Sequence, residues 1–184
     1  MANEKQELNL SRLLPLLRDL PAYKKLADGL PTIKRQHEAI ILDAAKPALI
    51  AALYEDLGLP FIVVTGQPET ARKLHDQLRT WCSPAAEVHR FPELDFLSHD
   101  RPQESAISYQ MTERLRTLAA LALREEDTRP PVIVASALAI MSRTIPQKDF
   151  VASCYVLKPG MVAEPMELMH RWQSIGYDTQ EAVE

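Results

Sequence analysis

Residues 38–66, EAIILDAAKPALIAALYEDLGLPFIVVTG, constrain the fold more than any other stretch of this chain. A β-branched apolar run, EAIILD, is followed by a short turn, a helix-prone segment opened by Pro47, and a second apolar run, Phe61 to Val64. The expected order is strand, tight turn, helix, strand, which is how a phosphate-binding P-loop begins. A working P-loop needs G-x-x-x-x-G-K-[ST], because glycines let backbone N–H groups curl around the phosphates. Here the turn is Asp43-Ala44-Ala45-Lys46-Pro47, with a lysine but no glycine and no hydroxyl. The frame of a nucleotide site is expected without its chemistry.

The same alternation continues downstream. A helix is expected over Thr70 to Trp81, with Ala71, Leu74, Leu78 and Trp81 on one face at helical spacing. A short strand is expected at Val88 to Phe91, and a long helix from Ile107 to Arg124. That helix should bury Ile107, Met111, Leu115, Leu118 and Ala122, and turn Glu113, Arg114 and Arg116 to solvent. Pro131 to Ala137, PVIVASA, reads as a third apolar strand, followed by a short helix through Met141. Runs such as FIVV and VIVA, without alternation, are those of strands buried on both faces of a parallel sheet. Strands alternating with helices predict βαβ units and an α/β fold with a mainly parallel sheet flanked by helices.

Three segments are expected. Residues 1–36 form a helical leader draped on the core, cut into short pieces by Pro15, Pro21 and Pro31. Residues 37–150 form the α/β domain. Residues 151–184 begin a small α+β unit: a strand in VASCYVLKPG, a turn at Pro159-Gly160, a helix carrying Leu168, Met169, Trp172 and Ile175 and ended by Gly176, then a strand just starting in YDTQEAVE. That unit is expected to be truncated.

The 184 residues are 46% hydrophobic and 25% charged, a globular balance rather than that of a disordered chain. The formal net charge of −4 gives no bulk electrostatic footprint for nucleic acid. The two cysteines, Cys82 and Cys154, have no CxxC partner and read as free thiols. There is no signal-like leader and no apolar run near the roughly 20 residues of a membrane span. A cytoplasmic protein is expected.

Other candidate chemistry is sparse. Thr65 to Thr70, TGQPET, follows an apolar strand and opens a helix, but Pro68 and Glu69 stand where a P-loop wants glycine and lysine. It reads as a helix start, with Glu69 favourable to the dipole. Lys46 opposes the dipole of its own helix, a position often occupied to meet an anion. His37, His75, His89, His99 and His170 show no metal-ligand spacing. His75-Asp76 reads as a surface pair, and Ser136 lacks the glycines of a nucleophile elbow. FPELDFLSHDRPQES interleaves Phe91, Leu94, Phe96 and Leu97 with Glu93, Asp95 and Asp100, and reads as a loop pinned to the domain edge or as a partner surface. No catalytic, cofactor-binding or metal residue is assigned.

Three segments in this order resemble the N-terminal region of the bacterial transcription-repair coupling factors, and more distantly domain 1a of the excision-repair protein UvrB. RFPELDFLSHDRPQESAISYQMTERLRTLAAL is similar to the family's FP-x-x-(D/E)-x-L segment with its following helix. PPVIVASALAIMSRTIP is similar to the strand and (A/S)-x-x-A-(I/L) that end the first domain, and LKPGMVAEPMELMHRWQSIGYDTQEAVE to the start of the UvrA-interaction domain. The resemblance places Lys46 at the P-loop lysine of UvrB, with Ile40, Asp43 and Ala45 where UvrB has glycines. It also implies that the damage-gripping aromatic hairpin of UvrB is missing, because FPELDFLSHDRPQES runs almost directly into the next helix. It implies a non-catalytic module that recruits UvrA to stalled RNA polymerase, in a parent whose ATP- and Mg²⁺-dependent DNA translocase motor lies elsewhere. No UvrA-contacting residue can be carried over, since most lie beyond a GEF-x-x-RGG continuation. Two alternatives stay open: a UvrB-like or helicase-like P-loop enzyme fragment, and a stand-alone α/β protein unrelated to repair.

Overall fold

The computed structural model describes residues 8–31, 36–94, 104–125, 127–174 and 177. The chain divides into two units, Met1–Arg143 and Thr144–Glu184.

The first unit is α/β, built on three parallel strands: β1 (Phe61–Thr65), β2 (Val88–Phe91) and β3 (Val132–Ser136), in the order β1-β3-β2. Val134 of β3 sits opposite both Val63 and Arg90. β3 is paired on both sides and buried along its whole length, as its unbroken apolar run predicts. β1 differs from the expectation. Phe61 and Val63 face the core, but Ile62 and Val64 are exposed, because β1 lies at the sheet margin with one face open.

Short helices α1 (Pro15–Arg18) and α2 (Pro21–Gly29) each start on a proline, where a missing N–H costs nothing. Leu14 and Tyr23 bring them into the core. Helix α3 (Lys46–Leu57) also has proline in its first turn and ends at Gly58, whose φ of 60° is a left-handed cap that favours glycine. Helix α4 (Pro68–Trp81) buries Ala71, Leu74 and Leu78 at the expected spacing. Together with Ala51, Ala52 and Tyr54 of α3, these residues cover Val132 and Val134 on one sheet face.

Two further sequence expectations in this unit do not hold as stated. The strand expected over EAIILD does not form. Residues 38–42 have no ladder partner among the described residues, Ile40 and Leu42 are exposed, and a 3₁₀ turn follows at Asp43–Ala45. An apolar run becomes a strand only when a neighbouring backbone takes its hydrogen bonds. β3 is already flanked by β1 and β2, so only the sheet's outer edges are free.

Helix α5 (Glu104–Ala122) forms, with Leu118 and Ala122 half-buried and Arg116 exposed as expected, but Met111, Leu115 and Arg114 depart from the expected face. Arg114 is 5% exposed and Thr117 1%, while Met111 is 45% and Leu115 49% exposed. The reason lies at the β2 margin. Thr117 Oγ1 lies 3.0 Å from Arg90 O, and Arg114 Nη1 donates to Pro92 O at 2.7 Å with its guanidinium 3.9 Å above the Phe91 ring. Carbonyls at a strand margin need donors, and that demand outweighs the apolar stripe. Burial lowers the pKa of the Arg114 guanidinium. The unit closes with α6 (Ala137–Met141).

In the second unit the strand expected in VASCYVLKPG is also replaced. Helix α7 (Gln147–Ser153) starts after Pro146, seats Phe150 inside, and is closed by the Cys154 N–H on Phe150 O. Residues 154–158 are irregular, and the turn at Pro159-Gly160 forms, with Gly160 at φ 81°. No strand of this unit exists among the described residues to pair with Cys154 to Leu157. Helix α8 (Pro165–Ser174) half-buries Leu168 and Met169. The strand expected in YDTQEAVE, and the helix end at Ile175-Gly176, lie outside the described residues except for Tyr177.

Candidate functional site

The turn before α3 holds the lysine that the sequence singles out. Lys46 Nζ lies 2.6 Å from Asp43 Oδ1, three residues back. Lys46 hydrogen-bonds and neutralises Asp43, holding that carboxyl below its ordinary pKa. The anion met by this lysine is therefore its own neighbour. Ala44 and Ala45 fill the turn, and Pro47 offers neither an N–H nor a hydroxyl there. Beside the turn is a cavity of about 690 Å³, lined in part by Asp43, Lys46, Glu69 and Lys73. Two ammonium groups facing two carboxylates give it no net charge.

The second candidate turn, at Thr65 to Thr70, is a helix start. Thr65 Oγ1 donates to Gln67 O at 2.9 Å, and the Ala71 N–H reaches Gln67 O. Glu69 sits in the first turn of α4 and pairs with Arg72 at 2.6 Å, which lowers its pKa. The His75 ring, largely covered, contacts the exposed Asp76 at 3.1 Å on α4.

The carboxyl ends of parallel strands are the usual place for ligands in open α/β sheets. Here they gather Ser136, Glu93 and Arg114. Ser136 Oγ donates to Glu93 Oε2 at 3.0 Å and accepts the Ala139 N–H at 3.1 Å, capping α6. Glu93 raises the pKa of Arg114, but the burial effect is larger. Each of these polar groups has a protein partner. Among the described residues no buried side-chain N or O lacks one.

The strongest polar cluster stands apart from either turn and joins distant segments. Arg129 Nη2 donates to Glu55 Oε2 at 2.5 Å, and Arg129 Nη1 donates to Ser83 Oγ at 3.1 Å. The Ser83 N–H donates to Glu55 Oε1 at 3.0 Å. The Arg129 guanidinium lies 4.7 Å from the centre of the Tyr54 ring, and the Tyr54 hydroxyl donates to Pro130 O at 2.8 Å. Burial opposes ionisation of Glu55, yet the Ser83 N–H and Arg129 outweigh it and hold the carboxyl below its ordinary pKa. Cys82, beside Ser83, is a free buried thiol whose pKa burial pushes up to about 12. Sequence reasoning did not find this cluster. Its members lie up to 76 positions apart, and no spacing rule joins them.

Cys154 is also a free thiol. Among the described residues no three His, Cys, Asp or Glu side chains could hold a metal ion together. No described helix is long and apolar enough to cross a membrane. Of the acidic-aromatic segment, Asp95, Phe96, Leu97 and Asp100 lie outside the described residues, as does His99, while Phe91 and Leu94 are half-buried. No protein-family model matches the chain, and no curated protein sequence does either.

Proposed function

We propose that this chain is a non-catalytic interaction module of a transcription-repair coupling factor, recruiting UvrA of nucleotide excision repair to stalled RNA polymerase. Its first unit is a degenerate P-loop or helicase-like domain kept as scaffold. Its second unit is the start of a UvrA-interaction domain. ATP, Mg²⁺, DNA and RNA polymerase are engaged through other parts of the parent protein.

The observation that supports this reading best is the Asp43–Lys46 pair, with alanines and a proline where a nucleotide needs glycines and a hydroxyl. The order of the three resembling segments supports the family reading. Titration of the chain with a fluorescent ATP analogue and Mg²⁺ is expected to show no saturable binding below roughly 1 mM, the affinity range of weak contacts. A micromolar affinity that Lys46→Ala abolishes would sink the scaffold reading. The recruiting role is tested separately, by co-elution of purified UvrA with the full-length parent. Absence of a complex at tens of micromolar, roughly the weak end of specific association, counts against it.

A further inference from the structure

We draw no further inference here: the strongest candidate, the open margin of β1 with Ile62 and Val64 exposed, is an unpartnered apolar surface, and nothing in the structure shows what covers it.

Discussion

Two ion pairs in the first unit have almost the same length and different consequences. Arg129–Glu55 spans 2.5 Å with side-chain exposures of 32% and 15%, and Lys46–Asp43 spans 2.6 Å with 51% and 93%. The first ties three segments together through Ser83 and stacks on Tyr54. The second joins two residues of one turn. Contact distance alone therefore says little about energetic weight. Burial, and the hydrogen bonds that use the remaining lone pairs and protons, decide it.

The largest effect is expected from removing the cation of the first pair. Arg129→Ala leaves Glu55 with the Ser83 N–H but without its counter-charge, and strips a flat group from the Tyr54 ring. Breaking a fully buried pair costs about 3–5 kcal/mol. Because Arg129 is about one-third exposed, a loss of about 2 kcal/mol is expected in urea unfolding. A loss under roughly 0.5 kcal/mol, the level of a surface pair, would erase the contrast between the two pairs.

The same cluster carries a pH signature whose sign is fixed. In the folded protein the Ser83 N–H and Arg129 hold the Glu55 carboxyl below its ordinary pKa. Its contribution is therefore complete above the unfolded value and is lost as pH falls through the lower folded value. The stability gap between wild type and Glu55→Gln should narrow across that acid window and stay level from pH 5 to 8, within roughly the range where carboxylates are ionised. A gap that instead narrowed on raising the pH would assign the effect to another group.

A smaller loss is expected at the strand ends. Ser136→Ala removes the side-chain cap of α6 and the hydroxyl that serves Glu93. Loss of such a cap costs about 1 kcal/mol. Thermal unfolding of this variant should fall between that of Arg129→Ala and wild type. If it falls below Arg129→Ala, the strand-end cluster rather than the Arg129 clamp is the main polar anchor of the sheet.

The contrast between the two pairs also explains what the sequence could reveal. Helix α3 is legible because Pro47 and Gly58 mark its ends locally, and α4 because Ala71, Leu74 and Leu78 repeat at helical spacing. β3 is legible from its length and unbroken apolar run. The failures depend on partners that a local pattern does not contain. EAIILD has the composition of a strand but pairs with neither outer edge of the sheet, and Cys154 to Leu157 finds no strand among the described residues of its unit. Helix α5 turns Arg114 and Thr117 inward because carbonyls at the β2 margin require donors. The Asp43–Lys46 contact was within reach of sequence reasoning, since the two residues lie one helical turn apart. The Glu55–Arg129 clamp was not, since only the fold brings residues 74 positions apart together.

The smallest effect is expected at Lys46, and it bears most directly on function. Its ammonium is about half exposed and its partner almost wholly so, and solvent screens an exposed pair of this kind to little net worth. Lys46 also lies at the start of α3, where a positive charge opposes the helix dipole. Removing it therefore relieves one unfavourable interaction while losing one weak favourable one. Lys46→Ala should leave the unfolding midpoint within roughly 0.5 kcal/mol of wild type, as expected for an ordinary surface substitution. A clear gain in stability would mean that the dipole penalty exceeds the Asp43 pairing, so that the lysine is retained at a cost. A partner that lost affinity for the same variant would then identify the anion for which it is kept.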